Sequence, residues 1–206
     1  EIDWELRNFH GYSTQRGSTY NAYLIIDEKI TLIDSVRPYL YDKMLKRLSS
    51  LIDPADIHYI ISNHVEMDHS GSLPLLTKTA KNATIITSPL GQKGLLAHYK
   101  RKDWNVKVVK SDETITLGKK NIKFVLTPLV HWPDNMMSYL VEDGILFSND
   151  AFGQHIASSE RFDDEYPLGI VIDEAEKYYA NIVLPYSSQV QKAMEAVTPL
   201  KIDMIA

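Results

Sequence analysis

Apolar positions along the chain fall in short runs broken by polar turns, and their spacing changes character from one stretch to the next. Near the N-terminus, Thr19–Ile26 and Lys29–Asp34 predict two strands joined at a turn formed by Asp27 and Glu28. Leu40, Met44, Leu45, Leu48 and Leu51 then recur at helical spacing on one face, predicting a helix over Pro38–Leu51 that Asp53 and Pro54 break. Ile57–Ser62 predicts a buried strand, Ser72–Thr79 a short helix with Pro74 in its first turn, and Ala83–Thr87 another strand. Pro89–Tyr99 predicts a helix capped by Ser88, with Pro89 at its first position. Five strands follow in a row: Val106–Lys110, Thr114–Leu117, Lys123–Thr127, Met137–Glu142 and Gly144–Ser148, with turn signals at Leu117-Gly118 and Glu142-Asp143-Gly144. Residues 153–169 predict an irregular loop. A helix from about Ile172 to Val197 follows, interrupted near Pro185, and Lys201–Ala206 is a last strand-like run.

Strands, helices, strands and helices in that order suggest two sheets packed face to face with helices outside them, in place of one parallel sheet. No G-x-G-x-x-G follows a first strand, which argues against a dinucleotide-binding fold. The whole of 1–206 is expected to form one domain, without internal repeat, low-complexity tract or linker. The chain begins at Glu1 without a Met, so a few residues are expected to precede it.

Composition narrows the function classes. The formal net charge of −5 and the lack of a Lys/Arg block argue against a nucleic-acid-binding surface. With no cysteine, a disulfide framework, a thiolate metal ligand and a Cys nucleophile are all excluded, and a reducing cytoplasm is the compartment that fits. No apolar stretch of membrane-spanning length and no signal-peptide pattern is present.

The chemistry concentrates directly after the Ile57–Ile61 run. His64, Glu66, Asp68 and His69 place four metal-capable side chains within six residues. As an alternative, the same stretch reads as a polar loop capping a helix through Asp68 or Ser70. His131 and Asp150 stand at the ends of two later strands, and strand ends on one edge of a sandwich can converge. Asp150 is the natural bridge because a carboxylate has two oxygens to share, with His64, Glu66 and His131 on one side and Asp68 and His69 on the other. Imidazole suits zinc, iron, copper and nickel, and added carboxylates shift preference toward harder ions. Iron is therefore the leading reading, with a dizinc hydrolase as the alternative. Asp34 is either a turn residue or a carboxylate that orients a metal-bound His. His10 is a candidate for the site mouth. His155 is expected near the site without binding metal, and His58 and His98 are expected to be structural or exposed. Tyr178 and Tyr179 face opposite ways on a helix, so one is expected in the core and the other to offer its hydroxyl to a bound diatomic molecule.

Five stretches carry a resemblance: Arg16-Gly-Ser-Thr-Tyr-Asn-Ala-Tyr-Leu-Ile25, His64-x-Glu-x-Asp-His69-Ser-Gly, Thr127-Pro-Leu-Val-His131-Trp-Pro-Asp, Leu146-Phe-Ser-Asn-Asp150-Ala-Phe-Gly and Tyr178-Tyr-Ala-Asn-Ile182. Together they resemble the metallo-β-lactamase-like domain of flavodiiron proteins, also called A-type flavoproteins, and look most like the flavorubredoxin nitric oxide reductase branch. Hydrolases of the wider superfamily usually have His where Glu66 stands.

The resemblance implies an α+β fold, a four-layer αββα sandwich, with a non-haem centre of two iron ions that reduces O2 to water, NO to nitrous oxide, or both. It assigns His64, Glu66 and His131 to one iron and Asp68 and His69 to the other, with Asp150 between them. It also implies a Tyr178 hydroxyl donated to the bound ligand and, with His10, a source of protons. The family draws electrons from FMN on a C-terminal flavodoxin-like domain, usually across a head-to-tail homodimer or within a tetramer, with rubredoxin or another donor upstream. That domain and a last His ligand, in a Ser-His-Gly turn, are expected beyond Ala206, so the metal domain is expected to be C-terminally incomplete here.

Overall fold

The computed structural model describes residues 1–206. Its framework is two five-stranded sheets. In the first, Tyr23–Ile25 runs antiparallel to Thr31–Ile33, which is followed by parallel Tyr59–Ser62, Thr84–Thr87 and Val106–Val108. In the second, Thr114–Thr116, Asn121–Leu126, Met136–Leu140 and Ile145–Phe147 form an antiparallel meander, and Met204–Ile205 adds in parallel to its edge.

Strand side chains alternate between faces, so a strand buried on both sides must be apolar at successive positions. Leu32, Ile60 and Ile85 point into a core with Leu40, Met44 and Leu48 of helix Tyr41–Ser49, Leu73 and Leu76 of helix Leu73–Thr79, and Leu95 of helix Pro89–Tyr99. Their neighbours Ile33, Ile61 and Ile86 pack between the sheets on Phe124, Met136, Leu140 and Phe147. On the far face of the second sheet, Val125, Met137, Tyr139 and Leu146 meet Val197 of helix Ser187–Val197. Helix, sheet, sheet and helix are the four layers expected of the αββα sandwich. No helix is long and apolar enough to cross a membrane.

The element boundaries follow local chemistry. Ser88 accepts a hydrogen bond from the Gly91 amide at 2.9 Å, capping the helix that Pro89 begins. Pro74 lies in the first turn of its helix, where the missing N–H costs nothing. The predicted strand Thr19–Ile26 is in fact divided: Ser18–Thr19 pairs with Ile2–Asp3 in a separate ribbon, and only Tyr23–Ile25 enters the sheet. The C-terminal helix starts earlier than expected, at Leu168, and its interruption begins at Tyr179 with a wide π turn that leads into the tight turn Leu184–Tyr186 containing Pro185.

Three strands end at one edge of the sandwich. Tyr59–Ser62 leads to His64, Asn121–Leu126 leads to His131, and Ile145–Phe147 leads to Asp150. The sheets are tied there by the Met136 amide donating to the Asn63 carbonyl at 3.0 Å and the Ser138 hydroxyl donating to Asn63 Oδ1 at 2.6 Å.

Candidate metal centre

His64 leaves the end of its strand fully buried, at 0% exposure. Its Nδ1 donates to Asp134 Oδ2 at 3.0 Å, and the same oxygen accepts the Val65 amide at 2.7 Å. A carboxylate on Nδ1 places the imidazole proton there and leaves Nε2 free to face a cation. Nε2 lies 3.3 Å from Glu66 Oε2 and 3.4 Å from Asp150 Oδ2. His131 joins this group from the second sheet, with Nε2 at 3.1 Å from Asp150 Oδ2 and 3.4 Å from Glu66 Oε2.

A second group shares Asp150. The short helix Met67–Ser70 turns Asp68 and His69 toward it. His69 Nε2 stands 2.9 Å from Asp150 Oδ1 and 3.6 Å from Asp68 Oδ2. Asp34 Oδ2 is 3.8 Å from His69 Nδ1, while its Oδ1 accepts the Asn63 amide at 2.8 Å. Asp34 therefore holds the His64 loop and stands beside His69. Neither Asp68 nor Ser70 caps a helix; the residue ahead of the short helix is Glu66, whose side chain makes no capping bond.

The six predicted donors thus form two clusters, His64/Glu66/His131/Asp150 and Asp68/His69/Asp150, each with one ligand atom per residue within 4.8 Å of the others. The two Asp150 oxygens divide between them, Oδ2 toward His64 and His131 and Oδ1 toward His69. Donors bound at about 2.0–2.2 Å to one ion lie roughly 3 Å apart around it, so spacings of this size suit a cation in each cluster. One Asp68 carboxylate oxygen, Oδ1, is buried without a protein partner, as a metal-facing donor would be.

Electrostatics describe what holds the site together without a cation. Burial raises the Asp150 carboxyl, but His69 and the His131 hydrogen bond outweigh it and hold it well below the usual carboxylate range. Burial likewise opposes the Glu66 charge, and hydrogen bonds from His10, His131 and His64 overcome it, so its carboxyl is also lowered. Asp68 goes the other way, raised by burial despite the charge of His69. Burial disfavours the charged His64, yet Asp134 and Glu66 push it up to about 9, and His69 and His131 are raised by the same balance. Protons on these imidazoles compensate the carboxylates when no metal does. A cation must displace them, so metal affinity should rise with pH, and loading near pH 7 should release protons, that of His64 among them. Calorimetry of zinc binding in buffers of different ionisation enthalpy checks this, and a heat independent of buffer would refute it.

His10 and Tyr178 flank the donors. His10 Nε2 is 3.0 Å from Glu66 Oε1, and its ring sits 5.4 Å from His131 and 6.0 Å from Tyr178. Tyr178 is buried at 3% exposure while Tyr179 is 39% exposed, and the Tyr178 hydroxyl has no protein partner. Burial, reinforced by Asp150, Asp68 and Glu66, raises its phenol well above the ordinary value, so the group stays a proton donor. Gly153 makes room for the ring, since a Cβ there would lie 2.6 Å from Tyr178 Cζ. His155 is outside both clusters; its Nδ1 meets the Ser18 hydroxyl at 2.9 Å, and burial, followed by His10, lowers it to about 4. His98 is exposed on its helix, with its ring 6.2 Å from that of Trp132, and His58 is half-buried; neither belongs to a donor cluster. An open cleft of about 2270 Å³ reaches Asp68, His69, Asp150, His10 and Tyr178.

Asp134 is the residue that sequence reasoning passed over. It lies three positions after His131 in the Thr127–Asp134 stretch, and a carboxylate so close to a candidate ligand was the available signal.

Comparison with known proteins places these features among relatives. Residues 19–206 match the model of the ODP family beta lactamase. The chain is 47% identical over 197 residues to the rubredoxin-oxygen oxidoreductase of Megalodesulfovibrio gigas, covering 95% of this chain and 49% of that protein. It is 40% identical over 203 residues to the nitric oxide reductase of Moorella thermoacetica, covering 98% and 51%. The crystal structure of the flavodiiron protein from Giardia intestinalis superposes with a TM-score of 0.96 at 39% identity, over 99% of this chain and 50% of that one. The chain thus spans about half the length of the relatives it matches.

Proposed function

The chain belongs to the ODP family of beta-lactamase-like domains, the domain found in flavodiiron proteins, and on that premise we propose that it reduces O2 to water, NO to nitrous oxide, or both, at a non-haem diiron centre. The observation that carries this reading is the division of the two Asp150 oxygens between two carboxylate-rich clusters. His64, Glu66, His131 and Asp150 would hold one iron, and Asp68, His69 and Asp150 the other. Three carboxylates among six donors suit iron better than an all-imidazole zinc shell.

An iron pair held by these residues would supply electrons and keep one O2, or two NO molecules, close enough to react. The residues around it do the rest. The Tyr178 hydroxyl, protonated and without a protein partner, donates a hydrogen bond to the substrate and is replenished from the cleft. His10, hydrogen-bonded to Glu66 through Nε2, orients that carboxylate and stands beside Tyr178 as a second nearby source of protons. Asp134 keeps His64 in the tautomer that presents Nε2. Phe9, edge-on to His155 at 5.0 Å, and the buried His155 ring form the wall beside His10.

Electrons would come from FMN on a flavodoxin-like domain, fed by rubredoxin or another donor, and pass between the subunits of a head-to-tail homodimer or tetramer. A cytoplasmic location fits a chain without cysteine and with no helix able to cross a membrane. Metal identity tests the reading. Protein purified anaerobically from iron-replete cells should carry iron in excess of zinc, whereas stoichiometric zinc and no iron would overturn the redox function and favour a dizinc hydrolase.

A further inference from the structure

Asp150 has to face two ways at once, so the turn that carries it needs a restraint against swinging to either side. The backbone supplies part of it: Asn149 sits at φ +44°, in the left-handed region that few side chains tolerate. Side-chain amides supply the remainder. Asn149 Oδ1 accepts the Asp150 amide at 2.6 Å and also the Asn135 Nδ2 donor at 2.6 Å. Its own Nδ2 donates to the Met136 carbonyl at 2.7 Å. Asn135, 1% exposed, accepts the Trp132 amide at its Oδ1 at 2.9 Å. Trp132 directly follows His131.

We propose that Asn135 and Asn149 act as a two-amide clamp that locks the His131 loop to the Asp150 turn, and so hold the Asp150 carboxylate between the two donor clusters. Both are positioning residues: neither belongs to either cluster, and each acts through the ligand beside it. Asn149 uses its carbonyl oxygen and its amide nitrogen together, and Asn135 does the same. An acid in either place would lack the donor, and a serine would be too short to span the gap. Asparagine also tolerates positive φ better than other non-glycine residues, which suits position 149. The inference rests on the assignment of His131 and Asp150 as metal ligands.

The test uses Co2+ titrated into the metal-free chain, with visible absorption reporting coordination and chelator competition giving stepwise affinities. Asn149→Gly is the informative variant, because glycine accepts φ +44° and only the clamp is lost. The second, three-donor position depends more on Asp150 than the first. Its affinity should therefore fall by ~10–100-fold, the range seen when partners supporting metal ligands are removed, with a smaller change at the first position. The melting temperature of the metal-free chain should move little. Because the two amides work as one unit, Asn135→Ala combined with Asn149→Gly should be no worse for the second position than the poorer single variant. Equal loss at both positions together with a large fall in metal-free stability would mean a structural role and overturn the clamp. So would additive losses, or wild-type affinities in Asn149→Gly. Failure of the wild-type chain to bind Co2+ would instead remove the ligand assignment itself.

Discussion

Asp150→Ala should empty both metal positions to a greater degree than any other single substitution of a ligand. Asp150 is the one side chain present in both donor clusters, and its two oxygens serve them separately. Removing a donor outright should cost more than the ~10–100-fold that follows loss of a supporting partner. Asp150→Asn should retain more metal, because the amide keeps one oxygen and can still complete one cluster. His155→Ala serves as the control and should leave metal content unchanged, since His155 is outside both clusters. Metal analysis of the three purified variants decides the matter. Equal and complete loss in the Ala and Asn variants would show that the charge of Asp150, and not its remaining oxygen, controls occupancy. Metal loss in His155→Ala would mean the ligand set is wrong.

The second large effect is on stability. Phe124 is the bulkiest fully buried side chain, and it lies between the sheets against residues from both. Phe124→Ala removes that contact area and leaves a cavity which two rigid sheets cannot collapse, so the expected loss is about 3–5 kcal/mol. Domains of this kind are stable by only about 5–15 kcal/mol, so the variant should unfold at a much lower denaturant midpoint. Val125→Ala provides the contrast: Val125 faces the outer helix and loses fewer atoms, so its midpoint should shift less. A Phe124→Ala midpoint equal to wild type would mean that the sheets do not pack on each other as described.

The metal cluster and the sandwich are connected through strand ends, which explains how both were legible from residues alone. Ile60-Ile61 and Ile85-Ile86 read as strands buried on both faces because alternation sends neighbours to opposite sides, and only two flanking layers can cover both. Ser88 and Pro89 announced a helix start that the Ser88 cap makes. His64, Glu66, Asp68 and His69 stood out because local sequence spacing already confines them to a small volume.

Other features depended on which distant residues the fold brings together. His10 and His155 look alike in sequence, yet packing puts His10 on Glu66 and His155 on Ser18. The strand predicted at Thr19–Ile26 divided because Ser18–Thr19 found a partner in Ile2–Asp3, a pairing that propensity cannot foresee. Asp134 meets His64 across 70 positions, and Asn135 meets Asn149 across 14. Periodicity and local spacing determine strands, caps and the existence of a metal-capable loop, because those rest on short-range geometry. The tautomer of His64 and the two-way aim of Asp150 were decided only when the two sheets packed, and the clamp behind Asp150 when Met136–Leu140 paired with Ile145–Phe147 inside the second sheet. Each depends on a hydrogen bond between chain segments that nothing but the tertiary fold places within 3 Å of one another.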